Sequence, residues 1–169
     1  MGDTRWLDRE EQAAWRAFLE STRLLFGTLD AELQRDVGIP HAYYEILVRL
    51  SEAPGRTLRM SELADASLSS RSRLSHAVDR LEEKGWVRRD RCGDDRRGTF
   101  AILTDEGFTA LDDAAPTHVT GVREHLFDQL DPEQVRQLHE ISRAVLVHLT
   151  GDDVDRSPRL PGATDQDRC

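Results

Sequence analysis

One stretch limits what this chain can fold into more than any other. Residues 69 to 107 read SSRSRLSHAVDRLEEKGWVRRDRCGDDRRGTFAILTDEG. Leu74, Val78 and Leu81 fall at i, i+4 and i+7, which predicts a helix over 69–85 with one apolar stripe. Ser72, Ser75, His76, Asp79 and Glu83 are expected opposite that stripe, with Arg73 and Arg80 flanking. Gly85 supplies a left-handed stop after Lys84, whose charge suits the carboxyl end of the helix dipole. WVRRDR (86–91) alternates as a strand does, and GTFAILT (98–104) is a β-branched and aromatic run that suits a second. The six residues CGDDRR between them predict a hairpin with a mobile tip. Thr104 then caps a further helix whose first turn carries Asp105 and Glu106, both favoured at the positive helix end. Close backbone packing is the expected reason for Gly107.

The flanking segments are helical by the same reasoning. From Leu7 to Leu33, Trp15, Phe18, Leu19, Leu25, Phe26, Leu29 and Leu33 recur at threes and fours, and Gly38 and Pro40 end the pattern. HAYYEILVRLSEAPG (41–55) sets Tyr44, Leu47, Val48 and Leu50 on a helical face and stops at Pro54-Gly55. TLRM reads as a short extended piece, and SELADAS (61–67) as a short helix capped by Ser61 with Leu63 and Ala64 turned inward. The helix after Thr104 runs toward Leu130 and is expected to kink or break near Ala115, because Pro116 lacks an N–H. Asp131, Pro132 and Gln134 form a strong start signal for a last amphipathic helix carrying Val135, Leu138, Ile141, Val145, Leu146 and Leu149. From 151 onward the chain is polar and aperiodic, and a disordered tail is expected.

With 33% charged and 38% hydrophobic residues in 169, the interior of a single domain is lean, which points to a core completed by a partner chain. No run of about 18 apolar residues exists, and MGDTRWLDREEQ lacks the basic-then-apolar order of a secretory signal. A soluble, cytoplasmic protein with no membrane partner is expected. Cys92 and Cys169 do not make a disulfide framework. Neither metal-ligand spacing among the six histidines nor a nucleophile motif or phosphate-cradling loop is found, so no enzyme, cofactor or metal is expected. The net charge of -9 argues alone against nucleic acid, but Pro54 to Thr104 holds 11 Lys and Arg against 8 Asp and Glu. Local field decides where a polyanion docks.

Short helix, turn, polar-faced helix and arginine-tipped hairpin is the order of a winged helix-turn-helix. The stretch from Pro54 to Gly107 resembles the MarR family of bacterial transcription regulators, whose wing carries Asp-x-Arg, five residues, Leu-Thr, two residues and Gly. Asp95, Arg97, Leu103, Thr104 and Gly107 match those positions. VDRLEEKGWVRR (78–89) resembles the family's exit from recognition helix to wing, whereas Ser75-His76 stands where many members have Thr-Arg. The helix order extends the likeness over residues 8 to 150.

The resemblance implies a mostly α fold with a small β-wing. A helical dimerisation layer is expected from 8–39 and 105–150, a DNA-binding lobe from 40–104, and the tail from 151–169. It implies a homodimer that represses transcription from a palindromic double-stranded operator and lets go on binding a small aromatic effector. Side chains on the first half of a helix in the major groove reach base edges. Ser70, Arg71, Ser72, Arg73, Ser75, His76 and Arg80 are therefore the candidate DNA-contacting residues on that helix. By resemblance Arg97 enters the minor groove with Asp95 orienting it, and Arg96 contacts phosphate nearby. Trp15, His41, Tyr43, Tyr44 and Arg49 are the candidate effector-pocket residues, with core packing as the alternative for each. Two other readings stay open: a winged-helix module that binds protein, and a regulator sensing oxidation at Cys92.

Overall fold

The computed structural model describes residues 4–67, 70–91 and 99–151. The expected hairpin tip with Cys92, Asp95, Arg96 and Arg97, and the expected tail from 152 on, lie outside the described residues. Helix α1 (Arg9–Val37) starts at Asp8, whose carboxylate accepts the Glu11 N–H at 2.8 Å while Glu11 reaches back to the Asp8 N–H at 2.9 Å. It ends at Gly38, whose φ of 68° is the left-handed turn that closes a helix. Twenty-nine residues make a rod of roughly 43 Å, yet only Leu29 and Leu33 of it are buried.

Helix α2 (His41–Glu52) is the hub. Tyr44, Ile46, Leu47, Val48 and Leu50 are all buried, because α1, α3, α4, α5 and the sheet each pack against a different side of it. A 3₁₀ turn (Pro54–Arg56) leads into β1 (Thr57–Arg59), and helix α3 (Met60–Ala66) follows directly. The expected cap at Ser61 is corrected: the cap position lies two residues earlier, at Arg59. There the Glu62 carboxylate accepts the backbone N–H of Arg59 at 3.0 Å, which leaves Ser61 inside the first turn. Leu63 and Ala64 point inward as expected.

Helix α4 (Arg71–Glu83), β2 (Val87–Arg91) and β3 (Thr99–Leu103) complete the lobe. The sheet has three antiparallel strands in the order β1-β3-β2, with Leu58 opposite Ala101 and Arg89 opposite Ala101 on the other side. The two-stranded hairpin of the sequence reading gains a third strand: Thr57, Leu58 and Arg59 are extended because they pair with the other edge of β3, while Met60, expected in the extended piece, already begins α3.

Helix α5 (Asp105–His125) passes through Pro116 without breaking, so of the kink or break expected near Ala115 the break does not occur. Pro116 and Asp112 are both exposed, so the Asp112 carbonyl that loses its helical donor faces solvent. Instead the helix stops at His125, short of Leu130, and a 3₁₀ turn (Phe127–Gln129) leads to α6 (Pro132–Thr150). The Asp131–Gln134 capping box forms as the sequence predicts, with both hydrogen bonds at 2.8–2.9 Å. One core joins Leu33, Tyr44, Leu47, Leu50, Leu63, Leu74, Val78, Leu81, Val87, Ala101, Leu103 and Leu111. Helix α6 contributes no buried residue to it, and Ile141, Val145, Leu146 and Leu149 are exposed.

Candidate nucleic-acid interface

Helix α4 is anchored by its apolar stripe and displays everything else. Leu74, Val78 and Leu81 are buried, as their spacing predicts. Ser70 caps the helix, its Oγ accepting the Arg73 N–H at 3.3 Å, so its hydroxyl is committed to the fold. Ser72, Arg73, His76, Asp79 and Arg80 are exposed. Ser75 needs correction: it lies not opposite the stripe but on the flank facing β2, half-buried. There Nη2 of Arg89 donates to its backbone carbonyl at 3.0 Å.

Charges on this helix are largely settled within the lobe. Arg80 pairs with Glu83 at 2.7 Å, and Arg89 on β2 pairs with both Asp79, at 2.7 Å, and Glu82. His76 Nδ1 stands 3.9 Å from an Asp79 oxygen. Arg71 and Arg73 have no carboxylate partner among the described residues. The uncompensated positive charge of α4 therefore sits on its first turn, the end from which a helix inserted in the major groove reads bases. Arg71 also shares a concave surface of about 390 Å³ with Arg59, Ser61, Ser75, Arg89 and Thr99, where the helix meets the root of the wing. A larger open groove of about 810 Å³ runs between α2 and α4, past Tyr43, Arg73, His76 and Arg80.

The wing is braced from behind by the residues matched to the Leu-Thr-x-x-Gly motif. Thr104 donates its backbone N–H to the Trp86 carbonyl at 3.0 Å and its hydroxyl to the Gly85 carbonyl at 2.7 Å, while accepting the Gly107 N–H at 2.9 Å. A Cβ on Gly107 would lie 2.0 Å from the Trp86 carbonyl oxygen, so the close packing expected there is a direct helix-to-backbone contact. These two positions join the end of the wing to the end of α4.

A second cluster lies where α1, α2 and α5 converge. The His41 ring centroid is 5.5 Å from Phe26, 5.4 Å from His118 and 6.4 Å from Tyr44, and Tyr44 lies 4.5 Å from His118. Asp30 accepts the His41 backbone N–H at 2.8 Å. Burial pushes the His118 imidazole down to about 4, helped by His41, and holds His41 below its ordinary value against the pull of Glu45 and Asp30. Burial also raises the Tyr44 phenol to about 12, with the Glu52 charge adding to it. The Tyr44 hydroxyl and His118 Nδ1 are buried without a hydrogen-bond partner among the described residues.

Of the five residues named for an effector pocket, His41 and Tyr44 come together here. Tyr43 turns instead to the α2–α4 groove, and Arg49 lies 3.8 Å from Glu45. Trp15 stacks on Phe18, eleven residues or roughly 16 Å up α1 from Phe26. His118 and Phe26 were not among the five; their contact with α2 is tertiary and leaves no local pattern. Among the described residues no group of three or more His, Cys, Asp or Glu side chains is placed to hold a metal ion.

A helix-turn-helix whose second helix shows a polar face, followed by an antiparallel arm, defines a winged helix-turn-helix protein. The family model for the MarR family matches residues 37–98. The fold superposes with a TM-score of 0.83 on a MarR family transcriptional regulator from Streptomyces coelicolor crystallised in complex with DNA. That protein is 54% identical, over 90% of this chain and 96% of the other. AbsC, a MarR family transcriptional regulator from the same organism, is 46% identical with a TM-score of 0.79, over 88% of this chain and all of AbsC. The transcriptional repressor MprA of Escherichia coli K12 is 30% identical over 112 residues, which span 63% of MprA's own length. The chain belongs to the MarR family of transcriptional regulators.

Proposed function

We propose that the protein is a homodimeric, sequence-specific repressor that binds a palindromic double-stranded operator. The observation that carries this reading is the first turn of α4, where Arg71 and Arg73 project uncompensated charge beside the Arg59–Arg89 concavity. The relative crystallised with DNA supports it. In this reading Ser72, Arg73 and His76 face base edges, and Arg71 and Arg80 face phosphates. Ser70 and Ser75 act through backbone placement, and Asp95, Arg96 and Arg97 serve the wing tip. Residues 8–39 and 105–150 form the layer that joins two copies, and 40–104 the DNA-binding lobe.

Support for the dimer comes from the uncovered apolar stripes at both ends of the chain. Trp15 and Phe18 on α1 and Ile141 and Leu149 on α6 are each more than half exposed. Isolated exposed apolar residues are ordinary, but two helices with aligned bare stripes are not. The aromatic cluster of Phe26, His41, Tyr44 and His118 lies at the junction of this layer with the lobe. A small aromatic effector seated there would act by favouring one dimer geometry over the other.

The test is a gel shift with the DNA upstream of the protein's own coding sequence. One discrete complex on an inverted repeat, weakening steeply with salt as counterions are released, is the expected result. Equal binding to random duplex overturns the operator reading, and binding insensitive to salt favours a protein-binding wing. Arg73→Ala should relax preference at one base position, a bidentate arginine–guanine pair being worth about 1–3 kcal/mol.

A further inference from the structure

We propose that Arg89 is the positioning residue that locks the recognition helix to the wing strand and offsets the charge of Asp79 and Glu82 close to the DNA-facing side. The inference rests on the DNA-binding reading for its consequence, but on geometry alone for the lock.

Arg89 occupies the third position of β2. Strand alternation puts it on the inner face with buried Val87, while Arg88 and Asp90 turn outward. Its side chain is 23% exposed, and the guanidinium meets acceptors on successive turns of α4. Nη1 donates to Asp79 Oδ1 at 2.7 Å and to Glu82 Oε2, and Nη2 donates to the Ser75 carbonyl at 3.0 Å. The Arg89 backbone N–H donates to the other Glu82 oxygen at 2.7 Å. An exposed ion pair contributes little, but a planar fork spanning two turns of one helix fixes the angle between that helix and the strand. The ammonium of a lysine offers a single point charge and cannot hold these acceptors in one plane.

Two consequences follow for a helix that meets a polyanion. Wing and helix must enter neighbouring grooves together, so their relative angle sets which duplex geometry both can fit. Asp79 is half exposed on the displayed side of α4, and without Arg89 its charge and that of Glu82 would oppose the field of Arg71 and Arg73.

Wild type, R89K, R89Q and D79N/E82Q/R89Q are compared by thermal melt, amide hydrogen exchange and duplex binding. For the lock, R89K should melt cooperatively yet exchange at least tenfold faster at the β2 amides and the second half of α4, with α1 and α5 unchanged. Unchanged exchange in both R89K and R89Q overturns the proposal whatever the DNA result. For the consequence, R89K should lose at least fivefold in preference for the inverted repeat over random duplex. R89Q should also lose affinity for random duplex, and the triple variant should regain that affinity but not the preference. Losses that merely track the unfolded fraction, or binding within twofold of wild type in R89K and R89Q, overturn it. If wild type itself ignores duplex DNA, the repressor reading falls while the exchange result still decides the lock.

Discussion

Gly107 carries more of this fold than its size suggests. A methyl group there would sit 2.0 Å from the Trp86 carbonyl oxygen, and that oxygen is held by the Thr104 N–H. Relief requires moving the start of α5 away from the wing, since no flexible side-chain end can give way. Gly107→Ala should therefore destabilise the protein by about 3 kcal/mol, at the upper end of overpacking costs, and denaturant titration measures it. His118 gives a second prediction at this scale. Its folded value is about 4 against an ordinary 6.5, because burial favours the neutral ring. The unfolded chain therefore takes up a proton first as acid is added. The stability held by the neutral ring is fully present above 6.5 and is lost as pH falls toward about 4. The loss is on the order of 1–2 kcal/mol after the screening felt by a ring that is only half-buried. In His118→Phe the fall in melting temperature between those limits should shrink; an unchanged pH profile would contradict the assignment.

At the scale of elements, what the sequence disclosed was local and what it concealed was tertiary. The Asp131–Gln134 box, the Thr104 cap and the stripe Leu74–Val78–Leu81 are all contacts within four residues or one helix face, so spacing alone revealed them. The pairing of β1 with β3, the flank position of Ser75 and the whole Arg89 network join residues far apart in the chain, and no periodicity marks them. In Arg89 the sequence showed only one arginine among several. His118 was equally silent, being a histidine in an ordinary amphipathic helix until α5 lies across α2. Pro116 shows a local rule outweighed by packing. Buried Leu111, Ala114 and Ala115 before the proline and buried Gly121 after it hold α5 against its neighbours, while the orphaned carbonyl faces water. Pro116→Ala should restore that hydrogen bond and improve helix propensity. Against this stands the greater freedom of the unfolded chain, leaving a net gain of about 1–2 kcal/mol. A rise in melting temperature with unchanged helical signal checks it; a fall would mean that the proline shapes a bend the packing needs.

For the whole molecule the open question is what covers the two ends. Helix α6 is well started by its capping box and ends at Gly151, yet among the described residues it has no fully buried side chain, only Val135, Leu138 and Val147 being partly covered. A nineteen-residue helix is marginal in water unless its apolar face is packed. The bare stripe of α1 poses the same problem, and in the proposed homodimer a second copy would answer both at once by placing each end against its counterpart. That arrangement would also supply the second recognition helix that the proposed palindromic operator, with half-sites roughly 34–36 Å apart, requires. Replacing Ile141 and Leu149 by Glu puts charge on the bare stripe without touching the core cluster around α2. The double variant should keep a cooperatively melting lobe but sediment as a monomer, and its affinity for an inverted repeat should fall at least a hundredfold, to that for a single half-site. A variant that remains dimeric places the interface elsewhere. A variant that turns monomeric yet grips the palindrome as wild type does would show that the two recognition helices are not coupled through this layer.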